Sequence, residues 1–299
     1  MGTELKNFAL IIGAMKCATT SLFYYLSEHP EISACSHKET QFFNTDQKLA
    51  QGIEWYRSLW KTSRPTETIA LEASPTYTQI PFQPNVAERI AHFAKEEKLE
   101  FRFIYIIRHP FDRIESHITH QLSERGNTES NREIDEENIA FTQYARQLDP
   151  YVKHFGRDRI LILTLNELTQ NTQEVLKRVC RFLEIDPSFI FQSVDVVRNS
   201  RDTLNLHPLV KRMSQVQWIG KLVRRIPPAV RQYLRKPLAR QDRLDVSLNE
   251  DEKSYVLNRL RSDLTRLKTE YSVDIEKHWG FSIHSLNAQN PFTHSQKHC

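Results

Sequence analysis

The chain has 299 residues, 39% of them hydrophobic, and a formal net charge of +4. That length can bury a full core, and the composition excludes a disordered or fibrous chain. The charge is too small to argue for nucleic acid but suits an anionic ligand, and no apolar run approaches the ~20 residues that span a bilayer.

The first residues, "MGTELKNF", carry no charged-then-apolar leader, and Lys6 stands where a myristoylation signal needs Ser or Thr. The cysteines Cys17, Cys35, Cys180 and Cys299 share no metal-ligand spacing. A reduced, cytoplasmic protein without a metal site is expected.

"FALIIG" (8–13) is the first of four short apolar runs, followed by "TIALEA" (68–73), "FRFIYII" (101–107) and "RILILTL" (159–165). Their hydrophobicity is continuous rather than alternating, as in strands of a parallel sheet buried on both faces. Helical patterns lie between them: "TSLFYYLSEH", "NVAERIAHFAKEEK" and "TQEVLKRVCRFLEI", the last with Val175, Val179, Phe182 and Leu183 at helical spacing. Alternating strands and helices predict an α/β fold, a central parallel sheet flanked by helices with right-handed crossovers.

After the first strand the chain turns through Gly13–Ala18 and enters a helix at Thr19-Thr20-Ser21. Unpaired N–H groups of the helix's first turn, three hydroxyls and the Lys16 ammonium make an oxyanion cradle. A nucleoside triphosphatase loop needs Gly-x4-Gly-Lys-Ser/Thr; here the second glycine is absent and Cys17-Ala18 follows the lysine. The run 101–107 ends in Arg108, not in the acidic residue that holds a metal for phosphoryl transfer.

Arg108 stands at the carboxyl end of a buried strand, where open α/β sheets bind ligands. Ser116 follows eight residues on, and a bend at His109-Pro110 plus two helical turns brings it back beside Arg108. Guanidinium plus hydroxyl is a monophosphate clamp. Asp112 and Arg113 are expected to be structural charges. Two anion sites at neighbouring strand ends imply one ligand with separated negative groups.

Residues 124–138 read as a polar surface loop. The basic stretch 205–245, with its prolines, reads as a helical insertion or lid within a single domain, or as a docking face for an acidic partner. A long helix then begins behind a cap-like Ser/Asn and an acidic first turn in "SLNEDEK".

With these motifs in order, the chain resembles the sulfotransferases that use 3′-phosphoadenosine 5′-phosphosulfate (PAPS), which have a three-layer sandwich similar to that of P-loop nucleotide-binding proteins. The resemblance is strongest to bacterial and heparan-sulfate or other carbohydrate-directed members, and it covers most of the chain. It implies that Lys16, Cys17, Ala18, Thr19, Thr20 and Ser21 form the 5′-phosphosulfate loop and that Arg108 and Ser116 bind the 3′-phosphate. Ala18 replaces the family's usual glycine. "LEASPTY" resembles the Glu-Lys-Ser/Thr-Pro motif that carries the catalytic glutamate, here Glu72, with Ala73 in place of the lysine. "KETQFF" resembles the family's Lys-Glu-x-x-Phe-Phe, which sends Lys38 toward the donor sulfonate or the acceptor.

The implied activity is sulfuryl transfer from PAPS to a hydroxyl, less readily an amine, of a carbohydrate or polyhydroxyl acceptor. Glu72 serves as base, Lys16 stabilises the leaving phosphate, no metal is required, and 3′-phosphoadenosine 5′-phosphate (PAP) is the product. His37, His109, His117 and His120 are rival bases. Trp55, Tyr56 and Trp60 are either core or a stacking surface for the acceptor. A P-loop small-molecule kinase and a non-catalytic nucleotide-binding protein are the alternatives.

Overall fold

Five short runs pair into a single sheet in the structure, a computed structural model that describes residues 5–61, 64–125, 133–194 and 246–282. The strands are β1 (Asn7–Gly13), β2 (Ile32–Ala34), β3 (Ile69–Ala73), β4 (Glu100–Ile107) and β5 (Ile160–Thr164), and their order across the sheet is β2-β3-β1-β4-β5. Every pairing is parallel. All five residues of β3 are buried, and so are the last five of β4, which explains their unbroken hydrophobicity.

The flanking helices are α1 (Thr19–Leu26), α2 (Asp46–Leu49), α3 (Gly52–Ser58), α4 (Val86–Glu97), α5 (Pro110–Arg125), α6 (Glu136–Ala140), α7 (Tyr144–Phe155), α8 (Leu165–Gln170), α9 (Thr172–Leu183), α10 (Glu250–Thr269) and α11 (Ile275–Trp279). Val175, Leu176, Val179, Cys180 and Leu183 form the buried stripe of α9, while Phe182, which the spacing places with Val175, Val179 and Leu183, is half-buried. Asn249 caps α10 with a reciprocal pair: its side chain accepts from the Glu252 N–H at 2.9 Å, and Glu252 accepts from the Asn249 N–H at 2.8 Å.

The long helix α10 is tied to the core by a buried carboxylate. Asp263 on α10 accepts from the N–H groups of Ala145 (3.0 Å) and Arg146 (2.8 Å) in the first turn of α7, supplying partners that the helix itself cannot. Burial pushes the Asp263 pKa up to about 6 in spite of these bonds. Arg266 adds two bonds to Asp149, at 2.7 and 3.0 Å.

Contacts divide the chain into two compact units, Met1–Phe189 with Val246–Cys299, and Ile190–Asp245. The expected insertion at 205–245 falls in the second unit and outside the described residues, as does most of the expected loop 124–138. Among the described residues no helix is long and apolar enough to cross a membrane.

Candidate active site

Parallel pairing puts the carboxyl ends of all five strands on one edge of the sheet. β1 lies between β3 and β4, so three segments leave this edge side by side: Glu72 and Ser74 from β3, the 14–18 loop from β1, and Arg108 from β4. Backbone bonds fasten them, from Ala14 N–H to Ile106 O (2.6 Å) and from Ser74 N–H to Ile11 O (3.1 Å). The crossover from β1 runs toward β3 and that from β4 toward β5, so a crevice opens between them, the usual ligand position in open α/β sheets.

The loop is built on a close approach. A Cβ on Gly13 would stand 2.1 Å from Thr78 Oγ1 and 2.8 Å from Tyr105 Cε2. Lys16 (φ 66°) and Ala18 (φ 63°) both hold left-handed backbone, and Ala18 is the N-cap of α1 with no side-chain cap. The first bond of the helix runs from Leu22 N–H to Ala18 O, which leaves the N–H groups of Thr19, Thr20 and Ser21 at its positive end. Thr20 is exposed, Lys16, Ala18 and Ser21 are half-buried, and Thr19 and Cys17 are buried.

The substitution at position 18 therefore matters more than its size suggests. An L-residue in the left-handed region costs roughly 1–2 kcal/mol that glycine avoids. Ala18→Gly is expected to raise unfolding stability by about 1 kcal/mol, read by urea denaturation, with PAP affinity equal to or better than wild type.

Arg108 is 28% exposed, and its Nε donates to Asp112 at 3.3 Å. Asp112 is thus its structural partner, while Arg113 turns into the core instead of pairing with its neighbour. The Arg108 carbonyl accepts from Tyr144 OH at 2.8 Å, which fixes the backbone at the strand end. Ser116 is half-buried two turns along α5.

Glu72 is sealed from solvent. It stands at the end of β3, but its carboxylate is 0% exposed, because a strand covered on both faces has no open mouth. Four hydroxyls donate to it: Thr40 (2.5 Å), Ser74 (2.7 Å) and Tyr77 (2.7 Å) to Oε1, and Tyr56 (2.6 Å) to Oε2. Burial raises its pKa above the usual 4.5, and the four hydroxyls pull the other way. Thr40, 8% exposed, is the member of this cluster nearest to solvent.

Lys38 lies beside the same strand end, its carbonyl accepting from Ala73 N–H at 3.1 Å, but its ammonium is paired with Glu39. Phe42 and Phe43 are core. So are Tyr56 and Trp60, whose rings meet at 4.8 Å, with Tyr56 stacked on Phe42 at 4.4 Å. Of the aromatic trio, Trp55 alone is half-buried.

The rival histidines differ in reach. His117 is 2% exposed, and burial together with Arg113 and Lys16 drives its pKa to about 3, which makes it a weak base. The unfolded chain takes up this proton below about 6.5 and the folded chain only near 3, so His117 contributes fully to stability above 6.5 and loses that contribution as pH falls between them. His117→Phe is expected to flatten the fall in melting temperature between about pH 6.5 and 4. His109 packs against Phe281 at 4.9 Å, and burial lowers its pKa as well.

The sulfotransferase domain family matches residues 7–218, a span that contains the loop, Glu72, Arg108 and Ser116. This chain belongs to the sulfotransferase domain family. It is 29% identical over 194 residues to mouse heparan sulfate glucosamine 3-O-sulfotransferase 3B1, covering 61% of this chain and 47% of that protein. It is 27% identical over 204 residues to the bifunctional heparan sulfate N-deacetylase/N-sulfotransferase 1 of Caenorhabditis elegans, covering 62% of this chain and 22% of that protein. The chain spans less than half the length of either relative. Among solved structures, a sulfotransferase from Alicyclobacillus acidocaldarius superposes with a TM-score of 0.52 at 21% identity, over 77% of this chain and 99% of the other. Membership of the sulfotransferase family removes the footing of the kinase alternative.

Proposed function

We propose that this chain transfers a sulfuryl group from PAPS to a hydroxyl of a carbohydrate or other polyhydroxyl acceptor. The observation that carries the reading is the shared edge: the Lys16 loop, Arg108 with Ser116, and Glu72 leave three adjacent strands side by side. The donors there fit a nucleotide with two anionic ends. Lys16 and the N–H groups of α1 suit the 5′-phosphosulfate, and Arg108 and Ser116 the 3′-phosphate, with PAP left as product. The acceptor class rests on the relatives named for heparan sulfate and on the Glu72 and "KETQFF" motifs.

In the transfer, an acceptor oxygen forms a bond to sulfur as the bond from sulfur to the bridging phosphate oxygen breaks, and the electron pair leaves on the phosphate. Lys16 and the helix terminus stabilise the charge that develops on that oxygen. Holding donor and acceptor in line supplies on the order of 7–11 kcal/mol of barrier reduction. Glu72 is the final proton acceptor. Because it is sealed, the acceptor's proton passes to Thr40 Oγ1 as the Thr40 proton crosses the 2.5 Å hydrogen bond to Glu72 Oε1.

Radiolabelled PAPS offered with a panel of glycans and phenols tests the reading. Label is expected in glycan hydroxyls. Label in phenols alone contradicts the acceptor class, and donor binding without any transfer favours a non-catalytic nucleotide-binding protein.

A further inference from the structure

Three successive backbone N–H groups reach toward Glu72 through three hydroxyls. Past β2 the chain turns at Gln41, whose φ of 54° lies in the left-handed region that residues with a Cβ avoid. The Gln41 N–H donates to Ser74 Oγ (3.1 Å), the Phe42 N–H to Thr40 Oγ1 (3.1 Å) and the Phe43 N–H to Tyr77 OH (3.4 Å). Each of these hydroxyls in turn donates to one carboxylate oxygen, Glu72 Oε1. Asn44 N–H closes the turn on Gln41 O at 3.1 Å, and Lys48 Nζ donates to Gln41 Oε1 at 2.9 Å.

A hydroxyl has one proton and two lone pairs. Where an N–H fills a lone pair, the hydroxyl proton aims elsewhere, and here all three aim at Oε1. Tyr56 donates to Oε2, so four donors fill the four acceptor sites of the carboxylate. Tyr77 OH lies 3.2 Å from Thr40 Oγ1 but already gives its proton to Glu72. Thr40 Oγ1 therefore keeps one lone pair open. Thr40 is also the outermost of the three, 8% exposed against 0% for Ser74 and 1% for Tyr77. The titratable groups that face Glu72 are Tyr56 on α3, Tyr77, Tyr151 on α7 and the Cys35 thiol after β2. Burial raises the pKa of each, that of Cys35 to about 12, so none competes for a proton at neutral pH.

We propose that the 41–43 turn is the positioning element of the base: its N–H groups aim three hydroxyl protons at Glu72 Oε1 and leave the outermost oxygen, Thr40 Oγ1, open to the acceptor's proton. The inference rests on the proposed role of Glu72. Gln41 sets the turn, because its left-handed backbone brings successive N–H groups to one side, as in an anion-binding nest. The turn acts through the hydroxyls and not on the ligand. In the transfer the acceptor O–H bond breaks as the proton joins Thr40 Oγ1, and the Thr40 O–H bond breaks as its proton joins Oε1. The new Oε1–H then donates back to Thr40, and no further proton moves.

The test reads the pH dependence of turnover, PAP affinity by calorimetry and melting temperature in Gln41→Val, Gln41→Gly and Ser74→Ala. A hydroxyl bonded to a carboxylate favours its ionised form, so losing that bond moves the acid limb of the rate profile to higher pH. Valine's branched side chain opposes left-handed backbone. Gln41→Val is expected to raise the limb by on the order of one pH unit and to cut plateau turnover about ten-fold, with PAP affinity within about two-fold of wild type. Ser74→Ala, which removes one of the three hydroxyls, is expected to raise the limb by a similar amount. Gln41→Gly keeps the N–H and takes up left-handed backbone freely, and is expected to rescue the wild-type profile.

A turn that serves the fold alone predicts a lower melting temperature with the limb unmoved. That result overturns the inference, as does Gln41→Gly losing as much turnover as Gln41→Val. Should Gln41→Val not fold, the limb of Ser74→Ala decides by the same criterion. Full turnover in Glu72→Gln removes the base reading itself. An essential Glu72 with an unmoved limb in Gln41→Val and Ser74→Ala leaves the base in place and misassigns only the turn.

Discussion

Glu72→Gln is expected to lower sulfuryl turnover by on the order of 10²–10⁴-fold while PAP affinity stays within about two-fold of wild type. The separation follows from place: Glu72 ends β3, on the far side of the loop from Arg108. Glutamine keeps the shape and can still accept from Thr40 and Ser74, but it cannot take up the acceptor's proton. The fold tolerates the change for the same reason that the carboxylate is a good base. Burial raises the Glu72 pKa, so the folded chain holds this proton to higher pH than the unfolded chain. The stability from that preference is complete below about 4.5, the unfolded value, and lost as pH rises through the raised folded value. At neutral pH the ionised side chain is a net cost, and the glutamine protein should melt no lower than wild type. The wild-type turnover should fall with acid along a limb centred above 4.5, since only the ionised carboxylate accepts a proton. Full turnover in the glutamine protein would assign the base elsewhere, with His109 the first candidate.

Lys16→Met is expected to cut turnover by roughly 10²–10³-fold, with a smaller loss, about ten-fold, in PAP affinity. The imbalance distinguishes a group that meets charge developing on the bridging oxygen from one that only holds the ground state. Arginine should not restore the rate, because the loop places a compact ammonium on backbone already held left-handed at Lys16 and Ala18, and a planar fork needs a different approach. Single-turnover rates with saturating PAPS, beside calorimetric PAP affinities, separate the two effects. Equal losses in both would reduce Lys16 to a binding residue.

Much of the scaffold is written in local pattern. The runs at 8–13, 68–73, 101–107 and 159–165 correspond to β1, β3, β4 and β5, because strands buried on both faces must be continuously apolar. β2 escapes such a reading, since three residues, Ile32–Ala34, make no recognisable run. α7 escapes it because Pro150 stands inside the helix.

The candidate site is legible where placement depends on backbone direction, since the Lys16 loop and Arg108 follow the carboxyl ends of the neighbouring strands β1 and β4. It was not legible where burial decides. Glu72 looks like an open strand end in one dimension, although the same apolar run that marks β3 already requires its burial. Arg113 reads as a structural charge, but nothing in that reading buries it, although it shares its face of α5 with buried Ile114, His117 and Ile118, a spacing that signals an inward position. Tyr56 and Trp60 fall to the core for the same reason: the sheet needs them more than a ligand does.

The central claim is that Lys16 and Arg108 hold the two ends of one nucleotide. Calorimetric titration with PAP, adenosine 5′-phosphate and magnesium-ATP, repeated on Arg108→Ala, tests it directly. Wild type should prefer PAP, and the variant should lose that preference while binding adenosine 5′-phosphate unchanged, at roughly 1.5–3 kcal/mol for each charged hydrogen bond removed. Equal wild-type affinity for all three ligands, or a preference for PAP that survives in Arg108→Ala, would contradict it.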